Sequence, residues 1–414
     1  MMRSPKQRRR VAVGVADQVA YSLSNFLLSI FVASQSSVVE FGIFSLAYAS
    51  FLVVLSLNRG LTGDPVLILA SGTEGVPAQE RIVRVSFGMS AMLGTGTACL
   101  LLLLGAATKG QPLASSVLFG FSVVCFSFFV QDFLRHAAFA RGRPGVALIS
   151  DSTVLAVEIF LFVILVSSGQ PTIFLLIVGF GLAGIAGSLA FLVCMPIKPL
   201  FRRGGGCFPR RMRFKLCLDH VSTQLSQQGV IFWIGALAGV SASGGFRAAQ
   251  TIFLPPATLM SGVQAALMPE LVRSAQSSPG SYRRVVSLAA LMMTLVAASY
   301  FSFAFLFSPI VGPLLFGESW GLAQQLIVFL GVASVASAVT NVSVIGLRAI
   351  GETGRALAAR YAGILITHGS LFPALLMFGL EGAGWALAVA GPLQACIWWF
   401  LFSRSARRNF GIQS

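Results

Sequence analysis

From Val11 to Ala33 the chain reads VAVGVADQVAYSLSNFLLSIFVA, about twenty mostly apolar residues, the length at which a helix crosses the hydrocarbon core of a bilayer. Its polar residues are ordered: Asp17, Tyr21, Ser24 and Asn25 fall at i, i+4, i+7 and i+8, with Gln18, Ser22 and Ser29 alongside. A helix gathers them on one stripe, which must face protein or water instead of lipid. Further apolar runs, divided by Gly, Pro or charge, predict spans at 42–69, 82–107, 113–139, 146–168 and 172–195, then at 213–239, 244–271, 284–307, 321–349, 357–379 and 382–403. Pro255 and Pro256 remove two backbone donors inside the eighth span and predict a kink there.

The polar stripe returns in DHVSTQLSQQGVIFWIGAL. Asp219, Val221, Gln224, Leu225, Ser226 and Gln227 repeat Asp17, Val19, Ser22, Leu23, Ser24 and Asn25 at one fixed offset, and Pro269 follows Pro65 at nearly the same one. A chain that restates its first polar helix halfway along is expected to be two copies of one unit. Between them MPIKPLFRRGGGCFPRRMR, rich in Pro, Gly and Arg, reads as a flexible connection lying against anionic lipid. The expected organisation is a basic N-terminus (1–10), a first lobe of six helices (11–197), a linker (198–212), a second lobe of six (213–403) and a tail (404–414). An even number of spans per half starts both halves on the same side of the membrane, so the repeat axis lies along the membrane normal.

Over 414 residues, 56% hydrophobic and only 10% charged content leaves too little polar surface for a soluble globule. The expected fold class is an all-α polytopic membrane protein of about twelve transmembrane helices in two pseudo-symmetric lobes. A net charge of +16 would suggest nucleic acid in a soluble protein, but the positions of the charges decide otherwise. With both termini cytoplasmic, the termini and inward loops collect Arg3, Lys6, Arg8, Arg9, Arg10, Arg81, Arg84, Arg135, Arg141, Arg143, Arg273, Arg283, Arg284, Arg348, Arg355, Arg360, Arg404, Arg407 and Arg408. The linker adds Lys198, Arg202, Arg203, Arg210, Arg211, Arg213 and Lys215, whereas the outward loops hold only Lys109. Such asymmetry orients the chain and makes most of its charge topological; no nucleic-acid partner is expected. The leader MMRSPKQRRR has the outline of a signal peptide, yet Asp17, Gln18 and Asn25 interrupt the apolar run that follows, so it is kept as a span. Cys99, Cys125, Cys194, Cys207, Cys217 and Cys396 show no C-x-x-C spacing, and His136, His220 and His368 have no ligand-spaced neighbours. No metal or cofactor is expected.

Ionisable groups inside a bilayer cost at least about 2.5–3.5 kcal/mol on insertion scales, so those that remain face a cavity or a partner. Arg59, beside Asn58, either lines a polar cavity, or snorkels inward or pairs with Asp64. Arg247 either sits at the outer interface or faces a cavity together with Gln250, one turn on. Asp17 and Asp219 lie two turns from the basic ends of their spans. They read either as interfacial partners of a nearby Arg or as a gate or cation-coupling pair. Asp132 and Arg135, three apart, are expected to form a local ion pair. Asp151 and Glu158, seven apart on one helical face, offer themselves to the arginines. The many Phe residues read as lipid-facing packing. Nothing pairs a nucleophile with a base, and outward loops such as 34–41 and 240–244 are too short to hold a catalytic constellation. That argues against an envelope glycan polymerase or ligase.

The segment DQVAYSLSNFLLSIFVASQSSVVEFGIFSLAY resembles the opening of polysaccharide-exporting flippases of the multidrug/oligosaccharidyl-lipid/polysaccharide (MOP) superfamily. In that family a polar first helix is followed by a short loop and a Phe-Gly-x-Phe motif, supplied here by Phe41, Gly42 and Phe44. The stretch FARGRPG between the fourth and fifth spans is similar too. The resemblance implies two six-helix lobes around a central cavity open alternately to the two sides of a bacterial plasma membrane. It implies a cargo of polyprenyl-pyrophosphate-linked oligosaccharide, for surface polysaccharide biosynthesis, with membrane lipids, H+ or Na+ as coupling ion, and the polysaccharide assembly machinery as further partners. Cavity candidates under that reading are Arg59, Arg247, Asn25, Gln227, Gln250 and Asn58; Asp17 and Asp219 are the gate or ion-coupling candidates. The related lipid II flippases carry a cavity arginine about where Gln250 stands, a turn beyond Arg247, and two further helices that this sequence does not contain. The competing reading is a multidrug and toxin extruder (MATE) of the same fold, which would depend on a deep carboxylate such as Asp17. A non-transporting scaffold stays open.

Overall fold

The computed structural model describes residues 5–72, 76–108, 110–169, 171–201, 210–277 and 279–409. Arg3, Lys109, and the linker residues Arg202, Arg203 and Cys207 lie outside the described residues, as does the side chain of Arg273. The described chain is all helix and turn, and it folds as a multi-pass membrane protein. Among the described residues nine helices are long and apolar enough to cross a bilayer. One of these, α14 (Thr353–Asn409), is two spans joined where Gly379 takes φ 59° and ψ −139°, a left-handed conformation open to a residue without Cβ. The remaining two of the twelve expected spans have visible reasons for falling below that measure. In α8 (Arg210–Leu237) the first three turns carry Arg210, Arg211, Arg213, Lys215 and Asp219. The eighth span is broken into α9 (Val240–Ile252) and α10 (Leu254–Ser277). The expected kink is therefore a full break at Phe253, and Pro255 and Pro256 occupy the first turn of α10, where missing N–H groups cost nothing.

Two compact units divide the chain, Met1–Gly229 and Val230–Ser414, with the boundary inside α8. The first holds α1 (Pro5–Ser34), α2 (Val38–Asn58), a π-helical turn (Arg59–Gly63), α3 (Asp64–Gly72), α4 (Val76–Ala107), α5 (Pro112–Ala140), α6 (Pro144–Ser167) and α7 (Ile173–Cys194). Helix starts follow local chemistry. Ser37 and Glu40 close a capping box on α2, Pro112 and Pro144 open α5 and α6 at first-turn positions, and Thr172 caps α7. Helix α5 is the central post, packed on α4, α7, α2 and α6, while α1 lies against α6.

The Phe residues divide: Phe126, Phe160, Phe303, Phe305, Phe378 and Phe400 are exposed on the outer helix faces as expected, but a second set is not. Phe41, Phe44, Phe129, Phe133, Phe162, Phe180 and Phe191 are fully buried, and Phe44, Tyr48, Phe51, Phe121, Phe128 and Phe180 form a continuous run of ring contacts through the first unit. The physical reason is that lipid supplies no hydrophobic drive between helices, so large flat side chains add most where dense packing can use their contact area.

The second unit contains α9, α10, α11 (Pro279–Phe316), a 3₁₀ turn (Gly317–Ser319), α12 (Trp320–Gln324), α13 (Ile327–Ala349) and α14. Its core joins α10, α11, α13 and α14 through Leu271, Tyr282, Val286, Val342, Trp398 and Phe402. The buried Tyr282 hydroxyl donates to the Gly346 carbonyl at 2.6 Å, satisfying a polar atom that this core would otherwise strand.

Candidate functional site

The polar stripe of α1 points into the first unit and meets charged residues from α5, α6 and the π-helical turn. A π turn carries one extra residue, marked here by the Asp64 N–H reaching back five residues to the Arg59 carbonyl. The glycines at 60 and 63 let that turn pass close to its neighbours. A Cβ on Gly60 would overlap the backbone of Cys217 in α8, and one on Gly63 would press 3.0 Å from the His136 ring.

Two guanidinium–carboxylate centres result. Arg59 reaches Asp132 on α5 through three hydrogen bonds, Nε to Oδ1 at 3.0 Å, Nε to Oδ2 at 3.1 Å and Nη2 to Oδ1 at 2.7 Å, and Nη2 also donates to the Tyr21 hydroxyl at 3.1 Å. The Arg59 side chain is 22% exposed while Asp132 is only 1% exposed, so the guanidinium is anchored through Nε and Nη2 on a side chain that is still partly accessible. Arg135 is more deeply enclosed. Its Nε and Nη2 donate to Asp17 Oδ2 at 2.9 and 2.6 Å, Nη2 donates to Gln18 Oε1 at 3.1 Å, and Asp151 Oδ2 lies 3.1 Å from Nε. The ring of Tyr21 covers the same guanidinium, with Cζ 4.6 Å from its centroid. Asp151 is also held by Gln131, and Ser24 donates to the fully buried Glu158.

The two centres and Glu158 bring four carboxyl groups together with only two guanidiniums. Several acceptor atoms here are buried without a hydrogen bond: Asp17 Oδ1, Gln131 Oε1 and Glu158 Oε1. In a low-dielectric interior an acidic surplus of this kind is costly unless a proton or cation balances it.

The other predicted site residues are placed as follows. Asn25 donates to the Tyr21 carbonyl at 2.7 Å and accepts from Tyr48, and Asn58 donates to the Phe129 carbonyl at 3.0 Å, so both fix helices against one another. Arg247 is buried at 5% exposure in α9 of the second unit and donates to Gln250 Oε1 at 3.2 Å. Gln227 and Asp219 are exposed on α8. Hence Asp17 and Asp219, equivalent in the sequence repeat, stand in unlike surroundings, because burial is set by the helices packed around each.

Three expected pairings are corrected by the structure. Arg59 takes Asp132 rather than Asp64. Arg135 takes Asp17 and Asp151 rather than its sequence neighbour Asp132, since side chains three apart on α5 diverge toward different helices. Glu158 takes a serine hydroxyl. Asp64 instead pairs with His220 at 2.7 Å, a contact between α3 and α8 that sequence reading missed; no local spacing marks it, because the partners are 156 residues apart. Tyr21, in sequence one polar residue of the stripe, touches both arginines.

No protein-family model and no curated protein matches the chain. Among solved structures, an inward-facing multidrug resistance MATE family transporter of the MOP superfamily matches with a TM-score of 0.77 and 14% identity over 98% of this chain and 100% of that one. An outward-facing structure of a multidrug resistance MATE family transporter matches with a TM-score of 0.70 and 16% identity over 98% and 96%. A MOP superfamily transporter from Pyrococcus furiosus Vc1 (DSM3638), whose reversed binding-pocket polarity is described as suggesting a different function, matches with a TM-score of 0.71 and 14% identity over 98% and 96%. The likeness is one of fold: this chain has the twelve-helix MATE-like fold of those transporters.

Proposed function

We propose that the chain is an exporter that moves a polyprenyl-pyrophosphate-linked oligosaccharide across a bacterial plasma membrane by alternating access, with both termini in the cytoplasm. The observation that carries this reading is Arg59, a guanidinium within a membrane span, fixed through Nε and Nη2 by Asp132 and Tyr21 on a side chain that is 22% exposed. Arginine presents several donors in a rigid fork that fits phosphate oxygens, and it is less tightly hydrated than lysine, so it suits a pyrophosphate passing through a membrane. Arg247 with Gln250 is the second candidate contact. The cargo tail stays within the hydrocarbon layer while the headgroup crosses.

Coupling is assigned to the acid-rich cluster around Asp17. Uptake of a proton or a sodium ion there would offset the surplus of carboxylates, and release on the other side would favour the opposite conformation. A ligand drives such a cycle only through unequal affinity for the two states.

A second reading has its own observation. The same acidic surplus suits a MATE-type antiporter of organic cations, and several structural relatives are described as multidrug transporters. The Pyrococcus furiosus relative supports reading cargo from the residues, since pocket polarity differs within this fold. The two readings separate in one experiment: lipid-linked oligosaccharide is scored on each leaflet in cells depleted of the protein and complemented with wild type, Arg59→Ala or Asp17→Asn. Precursor held on the cytoplasmic leaflet and not rescued by Arg59→Ala supports the exporter of lipid-linked sugar. Normal precursor crossing with no redundant flippase present, together with cation extrusion that depends on Asp17, supports the antiporter and overturns the first reading.

A further inference from the structure

The second unit contains a groove of about 780 Å³ between α11, α13 and α14, running from Ser287 to Phe301 on α11 and bounded by Val332–Val339 and Pro392–Trp399. Its walls are apolar apart from the short side chains of Ser287, Thr294 and Cys396. Lipid is as apolar as these walls, so the hydrophobic effect gives no preference for filling the groove with one hydrocarbon over another. What can discriminate is shape, length and the charge at its ends.

Length comes first. The stretch from Ser287 to Phe301 rises about 21 Å along a helix, whereas one leaflet contributes about 15 Å of hydrocarbon. A chain filling the groove end to end passes the bilayer midplane, beyond the reach of an acyl chain confined to its own leaflet. Charge comes second. The stripe of α11 that includes Ser287, Leu291 and Thr294 continues one turn earlier at Arg284, and the stripe of α14 that includes Cys396 and Trp399 continues at Ser403 and Arg407. Because α11 and α14 run in opposite directions along the groove, both arginines fall at the same end of it. Both are exposed, and neither makes an ion pair or hydrogen bond among the described residues.

We infer that this groove holds the tail of a polyprenyl phosphate lipid, its phosphate at Arg284 and Arg407 and its methyl-branched chain along Leu291, Ala298 and Ala336. The inference rests on the cargo reading above and adds a tail site to it. An anionic head at two unpaired guanidiniums combined with a chain longer than a leaflet sets such a lipid apart from the surrounding phospholipid, whose anionic members share the charge but not the length.

The test uses the full chain in nanodiscs of phosphatidylethanolamine and phosphatidylglycerol, with a photoreactive benzoylphenylalanine in place of Leu291 and radiolabelled undecaprenyl phosphate as probe. Labelling should be saturable and displaced by unlabelled undecaprenyl phosphate, but not by equal amounts of geranyl phosphate, which has the same head and branching on a chain too short to reach the far end of the groove. Ala336→Trp, which fills the groove, should lower labelling about fivefold. The surface pair Arg284→Ala with Arg407→Ala leaves the packed core untouched and should lower it about threefold. Equal displacement by added phosphatidylglycerol, or labelling indifferent to both changes, overturns the inference. Transport of lipid-linked oligosaccharide, measured on the same preparations, separates the two proposals. Selective labelling without transport keeps the tail site and overturns the cargo reading, while transport without selective labelling does the reverse.

Discussion

Replacing Asp132 with Ala removes all three hydrogen bonds that anchor Arg59 along its Nε and Nη2 edge, leaving the guanidinium only its contact with Tyr21 at 3.1 Å. Breaking a buried ion pair from one side costs about 3–5 kcal/mol, chiefly because the remaining charge loses its compensation. Arg59 is 22% exposed and water relieves part of that penalty, so about 3 kcal/mol is expected. Removing both charges at once is different. Arg59→Met with Asp132→Leu fills similar volume with apolar atoms and should bring stability back to within about 1 kcal/mol of wild type. The assay is equilibrium unfolding in mixed detergent micelles for the wild type, Asp132→Ala, and the cycle of Arg59→Met, Asp132→Leu and their double, which gives the coupling energy directly. Export should not recover in the double variant, because the guanidinium is gone. A coupling below about 0.5 kcal/mol, or a single Asp132→Ala as stable as wild type, would refute the account of this centre.

Further outcomes follow from the same geometry. Asp17→Asn should abolish coupled transport while Asp219→Asn leaves it near wild type, since Asp17 is buried on Arg135 and Asp219 is exposed; uptake by the two variants at equal expression checks this. Gly60→Val drives a side chain into the backbone of α8 near Cys217 and should destabilise by about 1–3 kcal/mol, read as a shift in the same unfolding transition. Gly379→Ala forces a Cβ into a left-handed turn and should cost about 1–3 kcal/mol, although nothing crowds the position. His220→Gln, at a pair about a third exposed, should change stability by less than about 1 kcal/mol.

The extent to which this architecture could be read from sequence depended on how local each signal was. Span positions and the inward stripe of α1 were legible, because helical periodicity is written in consecutive residues. The charged side chains of the cluster were each legible as anomalies in apolar runs. Their pairing was not, because Arg59 meets a residue 73 positions away and Arg135 one 118 positions away, and helix packing alone decides which face meets which. The π-helical turn had no local signature beyond its two glycines, and it carries Arg59. The repeat, too, misled at Asp219: matching residues specify matching helices, yet Asp17 is buried and its counterpart is exposed.

The central claim is that an anchored guanidinium in the first unit serves the passage of an anionic lipid-linked headgroup. It is tested most directly with purified protein in sealed liposomes loaded with lipid-linked oligosaccharide, scoring the fraction of headgroups accessible from each side over time. The account predicts that wild-type protein equilibrates the headgroups and that Arg59→Ala, folded and inserted to the same extent, does not. Equal rates for wild type, Arg59→Ala and protein-free liposomes would contradict it.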